Sequence, residues 1–266
     1  MTEHPPAARR AVSPEATAAA NRRWWEGNAD DYQAEHGAFL DRGFVWGPEG
    51  LTEEDAGLLG DVRGVRALEA GCGAARCTQW LAARGAHAVG VDIAFRQLQH
   101  SRLADDPGAP PTPVAQADAR FLPFADAVFD LVFSTYGALQ FVADSATVMA
   151  ECARVLRPGG RFVFSVTHPI RWSFLDDPGE RGLVACHSYF DRTPYVEQDP
   201  DGTVTYAEHH RTIGDRVREA TAAGLRLLDL VEPEWPAGDD RSWDAWSRTR
   251  GELIPGTAIF VCARVR

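Results

Sequence analysis

Val65-Arg66-Ala67-Leu68-Glu69-Ala70-Gly71-Cys72-Gly73-Ala74-Ala75-Arg76-Cys77 is the stretch whose reading decides the fold. A short apolar run with an acid near its end reaches two glycines one residue apart. Thr78-Gln79-Trp80-Leu81-Ala82-Ala83-Arg84 then suits a helix that stops at Gly85. The order is strand, tight turn, helix. Glycine permits positive φ and lets a ligand reach the backbone without a Cβ in the way. A second apolar run, Ala88-Val89-Gly90-Val91-Asp92, ends on a carboxylate. It lies about 20 residues past the turn, where nucleotide-binding α/β folds keep the acid that holds ribose hydroxyls. The third glycine of a dinucleotide fingerprint, which serves helix packing beside a pyrophosphate, would fall at position 76, and Arg76 stands there. With Glu69 just before the turn, this suits a ligand carrying an amine and no phosphate.

Three more landmarks follow in order: Asp118-Ala119-Arg120-Phe121-Leu122-Pro123-Phe124, Phe129-Asp130-Leu131-Val132-Phe133-Ser134 and Leu156-Arg157-Pro158-Gly159-Gly160-Arg161-Phe162. Together with the glycine turn and Val91-Asp92, they make the chain resemble the class I S-adenosylmethionine-dependent methyltransferases over residues 60–168. The likeness is to the branch that holds ubiquinone-biosynthesis and small-molecule methyltransferases. It implies an α/β fold, a Rossmann-like seven-stranded and mostly parallel sheet with helices on both faces. It also implies S-adenosyl-L-methionine as cofactor. Glu69 and the backbone of Gly71, Cys72 and Gly73 would take its amino-acid moiety, and Asp92 the ribose. Ile93 would cover one adenine face, while Asp118 and the backbone of Ala119 would meet the adenine amine and ring. An Asx turn capping a strand end is the other use of Asp118. Ser134, at the carboxyl end of the fourth strand, and Trp25, in an N-terminal helix, complete the expected cofactor set.

Length and composition suit one domain: 266 residues, 45% hydrophobic. The net charge of −11 makes nucleic acid a poor partner. Every basic residue is arginine, which excludes a Walker-type phosphate loop, a pyridoxal Schiff base and a lysine general base. Five scattered cysteines with no Cys-x-x-Cys pair argue against a zinc cluster or a disulfide framework and fit a reducing cytoplasm. No run approaches the ~18 apolar residues that a membrane span needs, so no membrane partner is expected.

Residues 1–15 are expected to be a disordered or loosely attached tail. Residues 16–266 form the single methyltransferase domain, opening with an N-terminal lid over 16–57. In it Trp24, Trp25, Tyr32 and His36 sit together on helical sequence; they either approach the ligands or anchor the helix to the sheet. Ala94–Leu103 reads as a helix, Pro107–Pro113 as a loop and Pro113–Gln116 as the third strand. Asp144–Leu156 and Ile213–Ala223 read as helices, and Leu225–Val231 and Ala258–Arg264 as the last two strands. Two aromatic insertions, 167–211 and 232–257, interrupt this pattern. By the resemblance they hang over the carboxyl edge of the sheet and roof the acceptor pocket.

Methyl transfer from a sulfonium is an in-line displacement, so the protein must chiefly align nucleophile and methyl carbon. A general base is needed only if the acceptor keeps a proton at neutral pH. The candidates are His168, which either faces the acceptor or caps a turn before Pro169, then His209, His210 and Tyr32. Adjacent strand residues face opposite ways, so His209 and His210 are not expected to share a metal. Arg171 and Arg211 are either acceptor-carboxylate binders or ordinary ion-pair residues. The expected reaction is methyl transfer to a small-molecule acceptor through oxygen, nitrogen or carbon, with the oligomeric state open. The competing functions are a non-catalytic cofactor sensor or assembly protein, a nicotinamide-dependent oxidoreductase lacking its third glycine, and a methyltransferase acting on RNA or protein, disfavoured by the charge.

Overall fold

The structure, a computed structural model, describes residues 7–103 and 112–266. Residues 1–6 of the expected tail and 107–111 of the expected loop lie outside the described residues. In chain order the elements are β1 (Ala7–Arg9), α1 (Pro14–Gly27), α2 (Ala29–Leu40), α3 (Glu53–Ala56), β2 (Arg66–Ala70), α4 (Arg76–Ala83), β3 (His87–Asp92), α5 (Phe95–Leu103) and β4 (Val114–Gln116). There follow β5 (Phe129–Thr135), α6 (Ser145–Val155), β6 (Leu156–Thr167), β7 (Tyr195–Gln198), β8 (Val204–Glu208), α7 (Ile213–Ala222), β9 (Leu225–Val231), β10 (Ser242–Trp243), β11 (Trp246–Ser247), α8 (Arg248–Gly251) and β12 (Thr257–Arg264).

The seven-stranded sheet runs β4-β3-β2-β5-β6-β12-β9, as expected. Its first five strands are parallel, and β12 inserts antiparallel between β6 and β9. The pleat sorts the apolar residues onto its two faces. Ala67, Leu131, Phe133, Val163 and Ile259 go to one side, where Phe44, Trp46 and Leu81 cover them. Leu68, Val132, Phe162, Phe164 and Phe260 go to the other, against Val148, Met149 and Cys152 of α6. Both layers are nearly solvent-free.

Two backbone turns meet at the carboxyl edge. A Cβ on Gly137, just past β5, would lie 2.0 Å from the carbonyl oxygen of Gly71, and one on Gly71 would lie 2.7 Å from the Gly137 carbonyl carbon. No other residue fits either position without moving the loops apart. Between the two glycine-permitted turns Tyr136 takes φ +60, unusual for a bulky residue.

The N-terminal segment departs from its expected looseness. Residues 7–9 pair with β7, which pairs in turn with β8, to make a separate three-stranded antiparallel sheet. Ser13 accepts from the Ala16 N–H at 3.2 Å and caps α1. The cause is tertiary: the strand partner is supplied by the 167–211 insertion, far along the chain. The helical sequence that carries Trp24, Trp25, Tyr32 and His36 forms two helices, broken at Asn28.

Asn21 holds this layer down. Its Nδ2 donates to the carbonyls of Phe141 (2.7 Å) and Ala207 (2.8 Å), and its Oδ1 accepts from the Ala207 N–H (2.8 Å). Asn21→Ala leaves three backbone groups unpaired and should cost about 1–3 kcal/mol. Urea unfolding measures this; a loss below ~0.5 kcal/mol would mean water replaces the amide without penalty.

Candidate functional site

The carboxyl edge of the sheet, the lid helices and the small sheet enclose one cleft of about 1560 Å³. Glu69, Gly71, Cys72, Gly73, Asp92 and Ile93 line one half, along with Ala117 to Arg120 and Thr135 to Ala138.

Glu69 lies at the end of β2, 2% exposed. One carboxylate oxygen accepts from the Thr78 N–H at 2.9 Å and from its hydroxyl at 2.5 Å, while the other takes the Thr135 hydroxyl at 3.3 Å. No cation pairs with it among the described residues. Burial therefore pushes its pKa up to about 8, against the opposing effect of these hydrogen bonds. Asp92, at the end of β3, accepts from the Gly73 N–H and the Ala94 N–H, each at 2.9 Å. Burial raises its pKa as well. One carboxylate thus fixes the glycine turn against the neighbouring strand end.

Asp118 lines the cleft, but Arg120 already holds its carboxylate, with Nη2 2.7 Å from Oδ2 and the Arg120 N–H 2.9 Å from Oδ1. Arg76, in place of a third glycine, pairs with Asp41 at 2.5 Å and bonds Gln33, tying α2 to the start of α4.

Ser134 does not line the cleft. It shares a sheet face with Val132, is 1% exposed, and its hydroxyl finds no partner among the described residues. A strand alternates at every residue, so the neighbouring Thr135 reaches Glu69 instead.

All three histidines expected near the acceptor also miss the cleft. His168 Nδ1 accepts from the Ile170 N–H at 3.1 Å, and its Nε2 meets Glu232 at 2.7 Å. It is the turn cap before Pro169, and burial lowers its pKa despite Glu232. His209 bonds the Thr17 hydroxyl at 3.1 Å, and His210 donates to the Tyr189 carbonyl at 2.7 Å. Burial, helped by nearby arginines, lowers both to about 4. Of the three, His209 ties the end of β8 to α1, while His168 and His210 bond partners in the two insertions. Arg211 pairs with Glu219 away from the cleft.

Tyr32 and Trp25 do line it, their rings 5.4 Å apart. Burial pushes the Tyr32 phenol up to about 12. His36 is the histidine that faces the cleft, stacked on Trp243 at 4.0 Å. It stands one helical turn after Tyr32, and that spacing was the available signal. Arg171 enters from the roof, 3.0 Å from Asp176 and 3.6 Å from Glu208. Tyr206 donates to Glu208 at 2.8 Å. Sequence gave no means to unite Glu208, Asp176 and Asp244, which come from three separate segments.

Compared with known proteins, residues 68–164 match the methyltransferase domain family. An O-methyltransferase, rstn1, of Aspergillus nomiae is 33% identical over 178 residues, 65% of this chain and 74% of that one. A demethylmenaquinone methyltransferase of Mycolicibacterium vanbaalenii is 39% identical over 174 residues, 64% of this chain and 70% of the relative. For a Mycobacterium homologue of that enzyme, 40% identical over 110 residues, the alignment spans 41% of this chain and 45% of the relative's length. Among solved structures, an S-adenosylmethionine-dependent methyltransferase of Mesorhizobium loti superposes with TM-score 0.61 at 25% identity, covering 82% of this chain and all of that one.

His209 and His210 carry a pH signature. Their folded pKa near 4 lies below the unfolded value of about 6.5, so acidification loads protons onto the unfolded chain and stability falls with pH. Between pH 7 and 5.5 the parent should lose about 1.2 kcal/mol more than His209→Gln does. Denaturant unfolding at the two pH values compares them, and parallel losses would show that His209 titrates normally.

Proposed function

The chain belongs to the class I S-adenosylmethionine-dependent methyltransferases, and from that premise we propose that it methylates a small molecule held beneath the roof of its cleft. The observation that carries this is Glu69. A buried carboxylate that holds only two hydroxyls and one N–H is a site built for a cation it does not itself contain. The ammonium of an amino-acid moiety fits that demand. Bound there, S-adenosylmethionine supplies an electrophilic methyl group on a sulfonium that departs as a neutral thioether.

The chain's own residues bind and orient. Glu69 and the turn from Gly71 to Gly73 take the amino-acid end. Asp92, with oxygen lone pairs beyond those given to Gly73 and Ala94, takes the ribose hydroxyls. Ile93 lies beside the adenine, and Asp118 with the Ala119 backbone reads its edge, Asp118 sharing its oxygens with Arg120. Trp25, Tyr32 and the roof exclude water from the space beyond Thr135. Tyr32 acts as wall and positioning residue, since its raised pKa suits a hydrogen-bond donor better than a base.

Asp92→Ala should weaken binding of S-adenosylhomocysteine by about 1–3 kcal/mol, because a charged acceptor of two hydroxyls is lost. Unchanged affinity in calorimetry would remove the ribose assignment. A second expectation concerns protons. With a pKa of about 8, Glu69 is mostly protonated at pH 7, and an arriving ammonium favours the carboxylate. Binding should therefore release up to about one proton. Calorimetry in buffers of different ionisation enthalpy reads this directly; a buffer-independent enthalpy would mean that Glu69 does not meet the ammonium.

A further inference from the structure

The half of the cleft left for the acceptor has an unusual charge balance. Asp176, Glu197, Glu208 and Asp244 line it, and Arg171 is the guanidinium among them. That arginine is not open to an anion, since Asp176 and Glu208 flank it. The other lining arginines, Arg76 and Arg120, are held by Asp41 and Asp118. Asp244 sits at the tip of the β10–β11 hairpin with φ +55, and its carboxylate takes no hydrogen bond from any described residue. Glu208 is the most sheltered of the set, its side chain 12% exposed.

The walls around these acids are aromatic. Trp243 stands next to Asp244 and against Tyr32 and His36. Tyr206, which donates to Glu208, lies 5.0 Å from Trp24. Flat π faces beside carboxylates attract a cation twice over, through the ring quadrupole and through charge-assisted hydrogen bonds. An anionic acceptor would meet net repulsion, and a neutral one would leave the excess of carboxylates over the single guanidinium of this half uncompensated.

We propose that the acceptor carries a protonated amine on a flat apolar body, the amine held among Glu208, Asp176 and Asp244 and the body against Trp243, Tyr32 and Tyr206. This deepens the methyltransferase function above and rests on it. It names a charge class of acceptor. Burial raises the pKa of Glu208 although Arg171 opposes it.

Tryptamine, tryptophol and indole-3-acetate share one ring and differ in charge, and they serve as probes. Each is titrated calorimetrically into the full chain saturated with S-adenosylhomocysteine. Tryptamine should bind at least ~10-fold tighter than tryptophol, with indole-3-acetate weakest. The preference should shrink several-fold in Glu208→Gln and in Asp244→Asn. The second variant alters an exposed hairpin tip and guards against a folding defect in the first. Equal or tighter binding of the neutral or anionic probe overturns the proposal, as does failure of all three while S-adenosylhomocysteine binds. Failure of S-adenosylhomocysteine itself would instead strike the cofactor assignment.

Discussion

A carboxylate buried without a cation is the constraint on which this architecture turns. Removing an ionised group from water is costly, and the ordinary remedies are a paired cation or a raised pKa. Glu69 takes the second, and its hydrogen bonds then have structural consequences. They reach Thr78 in the first turn of α4 and Thr135 at the end of β5, so three elements converge on one side chain. The turn that follows β2 presses onto the turn that follows β5, with glycine on both sides of the contact. Asp92 fastens the same turn from β3. One floor of the cleft is thus held by the protein's own hydrogen bonds, from Glu69 and Asp92 to the turns around them.

That floor was legible in the sequence because its parts are local. Strand, glycine turn and helix occupy one continuous stretch, and Asp92 and Asp118 end the next two strands. The structure differs there by one residue: Thr135, not the expected Ser134, faces the cleft and bonds Glu69. A period of two makes that error easy, because the run from Phe129 is apolar on both faces and the sequence does not declare which residue ends on the cleft side. The acceptor half was legible only as an aromatic roof. His168, His209 and His210 drew attention as histidines near a strand end, yet their partners, Glu232, Thr17 and the Tyr189 carbonyl, lie 64, 192 and 21 residues away. No local pattern encodes such pairings.

The same long-range logic explains the ordered N-terminus. Residues 7–9 carry no signal of their own, being short and polar at one end. They become a strand because β7 presents an edge to them. An edge left open invites pairing with other chains. Covering it also positions α1, whose Ala20 packs with Val196 and Ala207 of the small sheet. The lid is therefore held unequally. Asn21 is buried and makes three backbone bonds, whereas the pairs of Asp30 with Arg96 and His100 are half-exposed, where an ion pair contributes only ~0–1 kcal/mol. The α1 side belongs to the roof, and the α2 side is the weaker seam.

With His168, His209 and His210 off the cleft lining, the proton problem changes. An in-line displacement needs a lone pair on the acceptor and a place for any proton it surrenders. In this cleft the groups that accept protons are carboxylates, together with His36, whose pKa burial lowers and whose ring is occupied by stacking on Trp243. Carboxylates are weak bases in water, but those of Glu69 and Glu208 are raised by desolvation, the first beside the glycine turn and the second beside the roof. The same burial acts on both acids, and at Glu208 the Arg171 guanidinium works against it. Each half of the cleft is thus lined by a carboxylate sheltered from water, Glu69 with no cation paired to it among the described residues and Glu208 with Arg171 at 3.6 Å.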